Sequence, residues 1–270
     1  MSKLRVAACL LFAVIAFSGC TTPQEKLLAW AQAQNAEIST IDAQPFALQV
    51  VAPRNLPMGG RLTIFIEGDG HAWATRSQPS LDPSPHRFST VALAINPGHR
   101  GVYLARPCQF VMSSTCHKEV WTDARFSQAV VDAIQSAINI LKARYHASSI
   151  ELIGYSGGGA ITLLVAEQRD DVIQIQTICG NVDPQAWVQL NNLSPLKGSL
   201  DPLENATRLA SIPQRHFVAS NDKVIPLKLT EDFIKKIQPQ CAQVVSLVGD
   251  HVSALNALTS ESLSIPIVCK

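Results

Sequence analysis

Ser149-Ile-Glu-Leu-Ile-Gly-Tyr-Ser156-Gly-Gly-Gly-Ala-Ile-Thr-Leu-Leu164 is the stretch that decides how this chain folds. Ile150, Leu152 and Ile153 form a short apolar strand pattern, and Ala160, Ile161, Leu163 and Leu164 open a helical one. Between them Gly154-Tyr155-Ser156-Gly157-Gly158 fits G-x-S-x-G, the corner that carries a serine from strand to helix with its Oγ held out at the helix N-terminus. Glycines two residues either side let neighbouring backbone approach without a Cβ clash. At ordinary glycine frequency the pentapeptide arises by chance in about one chain in ten of this length, and the bland reading is a glycine-rich turn. The flanking strand and helix therefore carry the inference.

Working outward, strand and helix signals alternate. Phe46–Val51, Leu62–Ile66 and Val102–Ala105 read as strands, and a loop with Pro79, Pro83 and Pro85 precedes the third. Phe126, Val130, Ile134, Ile138, Leu141 and Tyr145 recur at three- and four-residue steps, one apolar stripe on a helix of about five turns. After the elbow come strands at Ile173–Cys179, His216–Ala219 and Val244–Val248, with a helix at Leu227–Ile237 before the last. This alternation predicts an α/β fold, a mostly parallel sheet covered by helices on both faces, with functional residues beyond the strands' carboxyl ends. Residues 181–213 are rich in Asn, Pro, Gly and Ser and leave room only for a small cap.

A serine hydroxyl is a poor nucleophile at neutral pH and needs a base in reach and a group that orients the base. Among seven histidines, His251 follows the strand Val244–Val248. Asp222 follows His216–Ala219, so both fall at strand carboxyl ends. Asp183, after Ile173–Cys179, is the rival acid. Ser156, Asp222, His251 is the chain order of α/β-hydrolases, and from Phe46 to Leu258 the chain resembles that superfamily. The resemblance implies about eight strands, Ser156 as nucleophile, His251 as base and Asp222 as acid, acting on an ester or related acyl bond without a cofactor. It also implies an oxyanion hole from the N–H of Gly157 and one from Glu67-Gly68-Asp69-Gly70, placed where the family commonly shows His-Gly-x-Gly. Asp69 supplies that second N–H. Glu67 departs from the usual histidine, and a carboxylate at position 69 must point away from a developing oxyanion or oppose it. Such a loop also fits a catalytically silent envelope protein used for binding or assembly, and the same triad serves acyltransferases. His71 reads as structural, and Trp73 and Trp187 as packing residues with a pocket-lining alternative.

At the N-terminus Lys3 and Arg5 precede the apolar run Val6–Phe17, too short for the roughly 20 residues of a bilayer span. Phe17-Ser18-Gly19-Cys20 resembles a bacterial lipoprotein lipobox, with an ordinary secretory signal as the alternative. The resemblance implies a signal peptide over 1–19 and an acylated Cys20. Thr21 in place of Asp implies the outer membrane of a Gram-negative cell, facing the periplasm. Residues 20–45 then read as a tether with a helical segment, Gln24–Gln34, and 46–270 as the catalytic domain. Removing Lys3 and Arg5 from 22 basic residues leaves 20 against 21 acidic. No nucleic-acid footprint appears, and the partners expected are a small-molecule or lipid acyl substrate and the membrane. Export suits disulfides: Cys108 with Cys116, Cys241 with Cys269, and Cys179 left as a buried thiol. Neither paired C-x-x-C nor His spacing suggests a metal.

Overall fold

The computed structural model describes residues 21–268. The leader 1–19, the acylation candidate Cys20 and Cys269 lie outside them. Eight strands form one sheet. In chain order they are β1 (Ala36–Ala43), β2 (Phe46–Pro53), β3 (Arg61–Ile66), β4 (Val102–Leu104), β5 (Ser149–Tyr155), β6 (Val172–Ile178), β7 (Gln214–Ala219) and β8 (Ala242–Leu247). Their spatial order is β1-β2-β4-β3-β5-β6-β7-β8. Only β2 runs against its neighbours β1 and β4, and every other pairing is parallel.

The central strands are apolar on both sides because helices cover both. Leu62, Ile64 and Ile66 of β3 pack with Val130, Ile134 and Ile138 of α3 (Gln128–Tyr145), Ile161 and Leu164 of α4 (Gly157–Glu167), and Phe233 of α6 (Leu227–Ile237). Phe65, on the opposite face of β3, packs with Leu27 of α1 (Pro23–Ala33), Val91 of α2 (Ser89–Ile95) and Leu255 of α7 (Ala254–Ala257). That second layer also takes Leu263 of α8 (Ser260–Ser264).

Of residues 20–45, expected as a tether, those the structure describes are instead part of the fold. β1 pairs with β2 along its whole length, from Ala36 against Pro53 to Ala43 against Phe46. Helix α1 begins at a capping box in which Thr22 and Glu25 bond each other's backbone N–H groups. Its Leu27 and Ala31 are fully buried, and Gln24 reaches Gln49 of β2 at 3.5 Å. Burial of that apolar face removes the freedom a tether requires.

Residues 181–213 form one short α-helix, α5 (Pro184–Leu190), a 3₁₀ turn at Leu209–Ser211, and irregular chain whose Leu196, Leu200 and Leu203 lean on the core. Cys108 and Cys116 are bridged. Cys241 is disulfide-bonded, while its expected partner Cys269 lies outside the described residues. Cys179 is a buried free thiol. Among the described residues no helix is long and apolar enough to cross a membrane.

Candidate active site

Strand β5 delivers Ser156 as the residue before α4, at φ 51° and ψ −121°. A non-glycine residue rarely adopts a positive φ, and here the surroundings hold it. The Ser156 N–H donates to Ile178 O at 3.0 Å, and its carbonyl accepts from Gly159 N at 2.9 Å and Asn181 N at 2.8 Å. The corner is so tight that a Cβ on Gly154 would lie 2.3 Å from Gly158 O, and one on Gly158 would lie 2.4 Å from Ile66 O. This close approach is what the G-x-S-x-G spacing provides.

His251 and Asp222 arrive from the loops after β8 and β7. His251 Nε2 lies 2.9 Å from Ser156 Oγ, and His251 Nδ1 lies 2.8 Å from Asp222 Oδ2. The other Asp222 oxygen accepts the N–H groups of Val224 and Ile225, each at 2.8 Å. Burial alone would raise the Asp222 carboxyl, but the His251 ring and these two N–H groups hold it below its ordinary value. Asp222 is therefore an anion at neutral pH, and it favours the tautomer with the proton on Nδ1 and a lone pair on Nε2. Tyr155 steadies the histidine loop by donating its hydroxyl to His251 O at 3.1 Å. Asp183, the rival acid, is elsewhere: it caps α5 through Ala186 N at 2.9 Å and pairs with Lys236 at 2.6 Å.

Cys179 directly follows β6 beneath this group, its sulfur within 4.8 Å of Asp222 and His251 side-chain atoms. Burial, followed by the Asp222 charge, pushes the thiol up to about 12. A protonated thiol beside a histidine whose two nitrogens already face Ser156 and Asp222 is a poor donor set for a metal, which binds thiolate and free imidazole.

The loop after β3 sits against the elbow. Glu67, the departure from His-Gly-x-Gly, turns into the core, where it is 2% exposed. It accepts from Gly68 N at 2.8 Å, Thr90 Oγ1 at 3.0 Å and Tyr103 OH at 3.0 Å. Burial raises its carboxyl despite these donors. Asp69 faces the buried guanidinium groups of Arg106 and Arg125, pairing with Arg106 Nη1 and, at 2.6 Å, with Arg125 Nη1. Burial would raise this carboxyl, but the Arg125 and Arg106 charges lower it. The carboxylate does not turn fully away from the elbow, since a Cβ built on Gly157 would meet Asp69 Oδ1 at 2.1 Å and Arg106 Nη1 at 2.9 Å. Two cations against one anion give this cluster a net positive charge beside Gly157.

Ser156 opens into a cleft of about 650 Å³ whose lining includes Asp69, His71, His86, Arg87, Asp250 and His251. His71 and His86 stack at its rim with ring centroids 4.3 Å apart. Neither Trp73 nor Trp187 reaches this cleft; both line a second cavity beside it. Residues 181–213 contribute nothing to the cleft and wall that second cavity instead. The sequence reading overlooked Arg106 and Arg125. Arg106 had a signal, a charged residue directly after the apolar run Val102–Ala105, at a strand's carboxyl end. Arg125 had none.

No family model matches the chain, and no curated protein does either. Solved structures do. An esterase from Pyrococcus furiosus superposes with a TM-score of 0.61 at 10% identity, over 87% of this chain and 89% of that one. The esterase domain of a Rhodothermus marinus protein gives 0.57 at 16% identity, over 84% and 95%. An alpha-beta serine hydrolase homologue from Coxiella burnetii gives 0.56 at 17%, over 84% and 95%. Together with the strand order and the elbow, these likenesses establish the α/β-hydrolase fold.

Proposed function

We propose that this chain is an exported serine hydrolase that cleaves an ester or related acyl bond through an acyl-enzyme. The observation that carries the reading is the continuous chain of hydrogen bonds from Ser156 Oγ through His251 to Asp222, at 2.9 and 2.8 Å, on a strained corner that opens into a cleft. Ser156 Oγ attacks the substrate carbonyl as His251 Nε2 takes its proton. Asp222 stabilises the resulting imidazolium. The carbonyl oxygen, now an anion, accepts from the N–H groups of Gly157 and Asp69, within the positive field of Arg106 and Arg125. Such donors are each worth about 3 kcal/mol of barrier where they have been removed in other enzymes. The tetrahedral adduct collapses, the leaving group takes the proton from His251, and an ester remains on Ser156. Water, activated by the same histidine, then releases the acid and restores the hydroxyl.

Labelling with a fluorophosphonate probe tests the reading. Wild-type protein labels, and Ser156→Ala does not, loses several powers of ten in acyl hydrolysis, and melts within a few degrees of the wild type. Undiminished labelling of that variant would refute Ser156 as the nucleophile. The lipobox-like Phe17-Ser18-Gly19-Cys20 supports acylation at Cys20 and residence on the periplasmic side of an outer membrane. Intact-mass analysis of membrane-extracted protein is expected to find acyl chains on Cys20. A mature N-terminus without lipid would leave export and remove the anchor.

A further inference from the structure

The second cavity, of about 980 Å³, differs in charge from the cleft. Trp73 and Trp187 line it together with four cations, Arg76, Arg125, Lys197 and Lys223, against one carboxylate, Asp123. In the Ser156 cleft the acidic groups are otherwise engaged: Asp69 is paired with Arg106 and Arg125, Glu67 is turned into the core, and Asp250 shares the lining with Arg87. Arg125 is occupied by Asp69. Arg76, Lys197 and Lys223 are exposed, come from three separate loops, and form no ion pair among the described residues. No ion pair among the described residues accounts for their meeting at one cavity.

The two cavities lie on either side of one wall, and no residue lines both. Asp69 lines the cleft while its partner Arg125, 2.6 Å away, lines the cavity. Val224 lines the cavity while its N–H bonds Asp222. Trp187 is fixed on that rim by donating its indole N–H to Val224 O at 2.8 Å. A molecule whose carbonyl reaches Ser156 and whose far end extends past this wall would meet three unpaired cations and two aromatic faces.

We infer that this cavity binds the phosphate group of a phosphate-bearing acyl ester whose ester bond is presented to Ser156. A carboxylate is matched by one cation, whereas a phosphate monoester carries up to two charges and three acceptor oxygens, which suits convergent Lys and Arg. The tryptophans cover the carbon skeleton between phosphate and ester. The inference rests on the hydrolase reading for its catalytic half and on the cavity alone for its binding half.

A matched pair of substrates, 1-hexanoylglycerol and 1-hexanoylglycerol 3-phosphate, separates charge from shape. Each exposed ion contact is worth roughly a factor of two to five. Wild-type protein is therefore expected to show a KM about tenfold or more lower for the phosphorylated ester. In the combined Arg76→Gln, Lys197→Gln, Lys223→Gln variant that gap closes, with kcat and the neutral ester unchanged. A second arm presents phosphatidic acid in phosphatidylcholine vesicles. Preference in solution identifies a soluble phosphorylated ester, and preference only on vesicles identifies a lipid headgroup. Equal KM values for the pair, with no preference on vesicles, overturn the inference. If neither ester is cleaved the hydrolase reading fails, and binding is judged by tryptophan fluorescence on titration with glycerol 3-phosphate. A saturable change that the triple variant loses sustains the site, and a flat titration overturns it.

Discussion

Asp222→Asn isolates the role of the acid with little change of shape. Asp222 Oδ1 accepts two backbone N–H groups, from Val224 and Ile225, and Oδ2 faces His251 Nδ1. An asparagine keeps its carbonyl oxygen toward the two N–H donors, since turning the amide over would set its NH2 against them. The NH2 then points at His251 Nδ1 and donates to it. Nδ1 becomes the acceptor and the ring proton moves to Nε2, facing Ser156 Oγ. In that tautomer the histidine has no lone pair to take the serine proton. The same exchange in the serine-protease triad costs on the order of ten-thousand-fold in kcat, or about 5.5 kcal/mol of barrier. A loss of that order is expected here, with KM and melting temperature close to wild type because both backbone N–H groups stay satisfied. Asp183→Asn is the control. Asparagine also caps helices, and the Lys236 partner is half exposed, so kcat is expected to change less than about threefold. Steady-state hydrolysis of a short-chain ester, with the rate of fluorophosphonate labelling alongside, reads both variants. Comparable losses in the two, or Asp222→Asn retaining more than about 1% of wild-type kcat, would refute the tautomer argument.

Asp69→Ala leaves the Arg106 and Arg125 guanidinium groups, 5% and 6% exposed, facing each other without a carboxylate. Breaking such a buried arrangement costs about 3 kcal/mol, a fall of about 6–12 °C in melting temperature for a chain of this size, measurable by calorimetry; adding Arg125→Met should recover part of the loss. Glu167 lies beside Asp201 and Glu204, and burial followed by their charges raises its carboxyl to about 8. Its Oε1 is buried without a hydrogen-bond partner among the described residues. The folded state therefore holds this proton more tightly than the unfolded one. Stability present below the ordinary glutamate value is lost as pH rises toward 8. Melting temperatures from pH 5 to pH 8 are expected to fall more steeply for wild type than for Glu167→Gln, and parallel slopes would disprove the assignment.

Features of this fold were legible where they rest on local pattern. The apolar run of β5, the glycine pair at the corner and the helical spacing of α4 lie within some twenty consecutive residues, and the elbow reads from them nearly to the residue. That His251 and Asp222 come together beside Ser156 was legible because strand ends could be located and chain order did the rest. β1 escaped because Ala36-Glu-Ile-Ser-Thr-Ile-Asp-Ala43 is an edge strand without clean alternation, its middle residues partly exposed. Helix α2 has seven residues and no side-chain cap, and it hides behind a proline-rich loop. The Asp69 cluster joins residues 37 and 56 positions apart. Such pairs are made by the sheet order and leave no periodic trace in the chain.

The docking of α1 has a consequence for reach. Its first turn lies beside Gln49, whose carbonyl accepts from Ala105 at the carboxyl end of β4, the same edge of the sheet on which Ser156 sits. Only three Cα steps separate Cys20 from Pro23, at most about 10 Å of extended chain. An acylated Cys20 would hold the start of α1 within that length of the bilayer surface, with the Ser156 edge of the sheet on the same side. On such a leash the protein could not swing freely through the periplasm, and its hunting ground would be molecules lying in, or leaving, the membrane it stands on.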